Sequence, residues 1–345
     1  MCRDAAKARS YGTAAGMKFH FPARESRRRK ANEKMIYKKE QSFAGKRLLL
    51  FILEREIFYE ISTEIGSPAK KIGEEQTLRY LAQAGFDAWD FSMFAMCKYD
   101  WGTRTLLENN HPLVLRQYLA FARKLKQIGL DNGIVCNQSH APFPSSCAEI
   151  RSYFKRAIEC TAEAGGRICV IHPDNNQSAQ QNAEMYRELL PFAKECGVKI
   201  AAENMYNWNT QKDESSFAAC ATSQSFTEHL EAVNDDFFVA CLDIGHAEMR
   251  GSGSGAAEMI RALKGRLQAL HLHDNDRWHD SHQIPFSMAI DFNAVVRALK
   301  EIGYGGYFTL EADSYLNAYG ADNIFEGIQA LHSSARKLAD MFEAL

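Results

Sequence analysis

The chain has 345 residues, 46% of them hydrophobic, and a formal net charge of −2. That composition supports a large buried core. No apolar run approaches the roughly 20 residues of a membrane-spanning helix, since the Leu48–Leu53 run is short and is followed by charge. The charge is unevenly placed: residues 1–50 hold 14 basic and 4 acidic side chains, net +10, whereas the remainder holds 27 and 39, net −12. An acidic body attracts polyanions poorly, which argues against nucleic acid as the partner.

Residues 1–54 are expected to be a basic extension, disordered and outside the fold, because they lack periodic apolar residues. Their Arg27-Arg28-Arg29-Lys30 cluster also suits a nucleic-acid arm or a transit peptide. Nine cysteines are scattered with no C-x-x-C pair. No disulfide framework is expected, and a reducing cytoplasm is the expected location. Cys136, Cys169 and Cys241 lie in apolar runs and read as core residues. Residues 55–345 read as one domain.

From Ile57 onward a short β-rich run ending in a polar residue alternates with a segment of helical period. The runs are Ile57–Ser62, Phe86–Phe91, Gly133–His140, Arg167–His172, Val198–Glu203, Phe237–Asp243, Leu267–His273 and Tyr307–Glu311. Most are nearly continuous apolar stretches, as in parallel strands covered by helices. Between them, apolar residues recur at helical spacing at Leu115, Leu119, Ala122 and Leu125, and again at Ile150, Phe154, Ala157 and Ile158. Gly85, Gly129, Gly165-Gly166, Gly197 and Gly303 fall where these helices should end. Eight such alternations predict a TIM (β/α)8 barrel, class α/β. A doubly wound open sheet is the alternative, but no G-x-G-x-x-G follows an early strand.

Polar residues gather at the ends of these runs: His140, His172, Glu203, Asp243 and His246, His271 and His273 with Asp280 and His282 beyond them, and Glu311. In a barrel the strand ends converge on one mouth. Carboxylates and imidazoles crowded there call for a neutralising divalent cation, and their donor types suit Zn²⁺, Mn²⁺ or Co²⁺. Taken singly, each has a plainer reading as a satisfied polar residue or a helix-cap partner. Asp274, Asp276 and Asp313 are expected to lie outside the donor set.

The series His140-Ala141-Pro142, His172-Pro173, Glu203-Asn204, Leu242-Asp243-Ile244-Gly245-His246, His271-Leu272-His273-Asp274, Asp280-Ser281-His282 and Leu310-Glu311 resembles the xylose isomerase-like barrel superfamily. That group includes sugar isomerases and epimerases and the endonuclease IV group. The resemblance spans about residues 57–345 and implies a metal site of Glu203, Asp243, His271 and Glu311. His273 faces the same side as His271, because strand side chains alternate, and is the competing ligand. Likeness to ketose epimerases implies that Glu203 and Glu311 are catalytic, moving a proton on opposite faces of a sugar or sugar-like polyol through an enediolate. His246, His282 and Arg277 would orient hydroxyls. The expected activity is therefore divalent-metal-dependent isomerisation or epimerisation.

The endonuclease IV group implies a different use: His140, His172, His246, Asp280 and His282 as further ligands of a trinuclear zinc site, acting on abasic DNA. The sequence departs from that group. Ile244-Gly245 stands where the endonuclease has Thr-Cys, and His271 is not followed by Asn-Asp-(Ser/Ala)-Lys. A non-catalytic sugar-binding barrel is a third reading, against which the paired carboxylates argue. Trp89, Trp208 and Trp278 are candidates for stacking on a sugar or for core packing. Gly251–Gly255 reads as a flexible loop rather than a phosphate cradle. A homo-oligomer is compatible with all of this.

Overall fold

The computed structural model describes residues 59–345, so the expected extension over residues 1–54 lies outside the described residues. Eight strands carry the fold: β1 (Ile61–Thr63), β2 (Ala88–Ser92), β3 (Val135–His140), β4 (Ile168–Val170), β5 (Lys199–Glu203), β6 (Phe238–Asp243), β7 (Leu267–His271) and β8 (Phe308–Leu310). Strands β2 to β7 pair in parallel in chain order, and β1 pairs in parallel with β8. Single parallel bridges, Glu64 with Asp90 and Leu272 with Leu310, join β1 to β2 and β7 to β8. The ring is closed, and the open-sheet alternative falls.

The period of two along each strand explains why the runs are apolar throughout. Val170, Ala201, Val239, Cys241 and Ala269 form one small cluster inside the ring. Ile200, Ala202, Phe238, Ala240, Leu242, Leu270 and Leu272 belong to the larger core. Glu203, Asp243 and His271 share the parity of the inner set, so each points into the barrel's open end.

The main outer helices are α1 (Glu74–Ala84), α2 (Tyr118–Asp131), α3 (Phe154–Ala164), α4 (Ala179–Cys196), α5 (Ser223–Val233), α6 (Ala256–Leu263), α7 (Phe292–Glu301) and α8 (Ile324–Glu343). Helix α7 shows why they pack: Phe292, Val295, Val296 and Leu299 recur at helical spacing and are buried. Helix α4 starts with a capping box of Ser178 and Gln181. Gly85, Gly165 and Gly197 close α1, α3 and α4 in left-handed conformation. Gly129 does not end its helix. It lies inside α2, where a Cβ would stand 3.1 Å from both Trp89 Nε1 and Ile134 O, and Gly133, with φ 81°, makes the turn instead.

Two further expectations change. Trp89 is fully buried against Phe91, so it packs in the core and cannot stack on a ligand. The Gly251–Gly255 loop is tied down: Ser252 Oγ meets Ser215 Oγ at 2.7 Å, and Ser254 Oγ accepts from Ser223 N at 2.9 Å. A Cβ on Gly253 would stand 2.1 Å from Ala247 O, so close backbone packing explains that glycine. Among the described residues no helix is long and apolar enough to cross a membrane.

Candidate metal centre at the barrel mouth

The strand ends bring the sequence-derived residues together in adjoining groups that share members, with His140, His271 and Glu311 bridging the first two. In the first, one donor atom each from Glu203, Asp243, His271 and Glu311 lies within 4.8 Å of all the others. His271 Nδ1 is 3.0 Å from Glu203 Oε1 and 3.2 Å from Glu311 Oε2. In the second, His140, His172 and Glu203 are equally close; His172 Nε2 is 3.2 Å from Glu203 Oε2 and 2.6 Å from His140 Nε2. In the third, His246, His273, Asp280 and His282 gather. His273 Nε2 is 3.0 Å from Asp243 Oδ1, which links the third group to the first. The two histidines of β7 and its extension thus face different groups.

Local structure holds these side chains in place. Asp243 caps the short helix Ile244–Glu248, its Oδ1 accepting from His246 N at 2.7 Å. Asn204 donates to Asp243 O and accepts from Asp243 N, both at 2.8 Å, while its own carbonyl lies 2.9 Å from His246 Nδ1. His282 Nδ1 lies 2.7 Å from Glu311 O. Donating there, His246 and His282 turn Nε2 toward Asp280, at 3.3 and 3.1 Å. Gly245 is required at its position because a Cβ there would be 1.9 Å from His273 Cε1.

Electrostatics separate the two glutamates. Burial opposes ionisation of Glu203, but the imidazoles of His271 and His172 prevail and hold its carboxyl well below the usual range. Burial drives Glu311 well above that range, the charge of Glu203 adds to it, and His271 only partly offsets it. Burial and His172 hold His140 well below the ordinary imidazole value. His246 moves the other way, up to about 10, because Asp243 and Asp280 outweigh its burial.

The donor set suits a divalent cation. Asp243 Oδ2 and Asp280 Oδ1 are buried without a hydrogen-bond partner, a costly state that a cation would relieve. Ligands at about 2.0–2.6 Å from one ion are at most about 4–5 Å apart, and the first group meets that limit.

Sequence reasoning passed over three neighbours. Glu64, just after β1, is buried and accepts from Ser67 N and Ser92 Oγ, each at 3.0 Å through Oε2. Asp90 lies in β2 beneath His271. The Cys241 thiol lies close enough to Glu203 and His271 to count as a donor. Asp90 and Cys241 sit inside apolar runs and Glu64 lies just past the Ile57–Ser62 run, so only the barrel's inward parity could have flagged them. Of the outlying candidates, Arg277 donates to Glu248 Oε2 at 2.6 Å. Trp208 stands on the hairpin Asn207–Asn209/Glu214–Ser216, its ring 5.7 Å from that of His279. The ring of Trp278 lies under the Arg250 guanidinium at 4.8 Å. None of these three joins a donor group. Asp274 accepts from the backbone N–H groups of Asn275, Met288 and Ile290 and shapes the loop after β7.

An aromatic wall borders the His140–His172 side. Phe143 stacks on the His172 ring at 5.0 Å, and the exposed Trp101 stands 6.3 Å beyond it.

The model of the xylose isomerase-like TIM barrel family matches residues 78–334. The chain belongs to that family. A relative from Methanocaldococcus jannaschii, the uncharacterized protein MJ1311, is 25% identical over 268 residues, which cover 72% of this chain and 83% of its own. Among solved structures, a D-tagatose 3-epimerase-like protein is 22% identical with a TM-score of 0.56, covering 78% of this chain and 96% of its own. An L-ribulose 3-epimerase is 18% identical with a TM-score of 0.60, covering 83% and 95%. The IOLI protein with a zinc atom bound is 18% identical with a TM-score of 0.61, covering 82% and 99%. These likenesses establish the barrel. In this family member the eight-strand frame and the mouth full of donors go together, as expected where a barrel's site is built from strand ends.

Proposed function

We propose that this protein is a divalent-metal-dependent isomerase or epimerase of a sugar or sugar-like polyol. One observation carries the reading. Glu203 and Glu311, from β5 and β8, both approach Nδ1 of the same buried imidazole, His271, at 3.0 and 3.2 Å. Two carboxylates so placed, reaching one point from different strands, suit a base that takes a proton and an acid that returns one.

Glu203, Asp243, His271 and Glu311 would hold the cation. When bound, it supplies Lewis-acid polarisation of a substrate carbonyl and its neighbouring hydroxyl. Glu203 removes the proton from the carbon beside the carbonyl and leaves an enediolate on the substrate. Glu311 delivers a proton to the other face or to the neighbouring carbon. His246 and His282, whose Nε2 atoms lie 3.3 and 3.1 Å from Asp280 Oδ2, orient hydroxyls together with that carboxylate. Phe143 covers one side and limits water.

The relatives named epimerases and the zinc-bearing neighbour support the class of chemistry and the choice of a divalent ion. The test is exchange of a substrate C–H with deuterated solvent by the metal-loaded protein over a panel of ketoses and aldoses. Exchange for none of them, with metal bound, would remove the reading.

A second reading, phosphodiester hydrolysis at a trinuclear zinc site, is favoured by one observation: the donor groups are contiguous and share members, Glu203 among them. The net −12 of residues 51–345 weighs against a DNA substrate. Scission of an abasic duplex at low protein concentration would reverse the ranking.

A further inference from the structure

We infer that Asp90 is a positioning residue for His271: its carboxylate holds the Nε2 proton and so aims the Nδ1 lone pair into the group formed by Glu203, Asp243 and Glu311. The inference rests on the reading of that group as a cation site.

A neutral imidazole has one protonated and one bare nitrogen, and only the bare one can ligate. Nδ1 of His271 faces Glu203 Oε1 and Glu311 Oε2. Ligation from Nδ1 therefore requires the proton on Nε2. His271 is fully buried, so that proton needs an acceptor from the protein. Asp90 Oδ2 lies 3.3 Å from Nε2, and Asp90 is itself 1% exposed. A carboxylate behind a ligating histidine fixes the tautomer and ring orientation and makes the imidazole a stronger donor.

The barrel interior is built to hold Asp90 there. Gln138 Nε2 donates to Asp90 Oδ2 at 2.9 Å. Gln138 Oε1 accepts from Asn137 Nδ2 at 3.3 Å and from Thr309 Oγ1 at 3.4 Å. Asn137 Oδ1 in turn accepts from Ser62 Oγ at 2.7 Å. This chain of bonds crosses the barrel from β1 through β3 and β8. Its members are buried. Apolar side chains would fill the space without the desolvation cost of a carboxylate and two amides. Packing alone does not account for the layer, whereas a fixed Asp90 under His271 does.

The test uses the full-length chain with zinc alone as the probe, competed against a chromophoric chelator. Asp90→Asn keeps the shape and removes the charge. It should raise the zinc dissociation constant ~10–100-fold and leave the melting temperature of the metal-free protein within a few degrees of wild type. Trp89→Phe, on the same strand but facing outward, should change zinc affinity less than ~3-fold. In zinc-loaded wild type, a downfield imidazole N–H resonance should be present that vanishes in His271→Gln and moves upfield in Asp90→Asn. Zinc affinity of Asp90→Asn within ~3-fold of wild type would overturn the inference, as would an equal loss in Trp89→Phe. If wild type takes up no zinc, the cation reading itself falls and this inference with it; an unaltered Asp90→Asn sinks only the inference.

Discussion

His140 and His172 meet Nε2 to Nε2 at 2.6 Å, with Glu203 Oε2 3.6 and 3.2 Å from those same nitrogens. Burial holds His140 well below the ordinary imidazole value and so disfavours a second proton between them. Converging nitrogen lone pairs beside a carboxylate are a seat for a cation. Dialysis against a chelator should lower the melting temperature, and zinc should restore it. At 100 times the dissociation constant the restored stability is about 2.7 kcal/mol. An unchanged melting curve in both steps would dismiss the cation.

Replacing Glu203 or Glu311 with Gln keeps the shape and removes the proton carrier. Each change should reduce solvent deuterium incorporation into substrate by about 10²–10⁴-fold. Zinc content, measured in parallel by elemental analysis, separates lost proton transfer from lost metal. Exchange surviving at wild-type rate in both variants would contradict the two-carboxylate mechanism.

Gly245→Ala should damage the site from behind. The new methyl would lie 1.9 Å from His273 Cε1, so the ring or the backbone must move. The cost should be about 1–3 kcal/mol, read as a fall in urea midpoint, together with weaker uptake at the group of His246, His273, Asp280 and His282. A variant as stable as wild type would show that the loop after β6 yields freely.

Glu64 offers a pH test. Burial first, then repulsion from Asp313, raises its pKa from an ordinary 4.5 to about 7. The folded state then holds this proton more tightly than the unfolded chain does. Its contribution is fully present below pH 4.5 and is lost as pH rises through about 7. The loss is at most about 3 kcal/mol by the linkage relation. Glu64→Gln should flatten the stability profile between these limits. An unchanged slope from pH 5 to 8 would exclude the shift.

A chain beginning at Glu54 should fold and retain full activity. The expectation rests on the composition of the preceding residues, net +10 over residues 1–50, and on the barrel strands all lying beyond them. Melting temperature, zinc content and deuterium exchange check it. Loss of the fold would show that this segment carries a structural element.

The barrel was legible because its physics is periodic. Runs such as Val198–Glu203 and Phe237–Asp243 are buried on both faces and read as parallel strands, and each ends in a polar residue facing the mouth. Gly129 misled because a glycine demanded by close helix–strand packing looks the same in sequence as one demanded by a turn. Trp89 sits beside Asp90 in the same strand, and parity, not residue type, sends one outward to the core and the other inward under His271.

The sequence by itself determined the element order, the inward placement of Glu203, Asp243, His271 and Glu311, and the donor chemistry of the mouth, since these follow from local period and side-chain type. Only the tertiary structure decided which donors share a group. His271 and His273 are two residues apart on one side of the chain, yet one meets Glu203 and Glu311 and the other meets Asp243 and Asp280. That division depends on where β5, β6 and β8 bring their ends around the closed ring. It also depends on Asp90, whose approach to His271 spans a sequence separation of 181 residues. Contacts at that range are set by ring closure and packing, which no local pattern in the chain encodes.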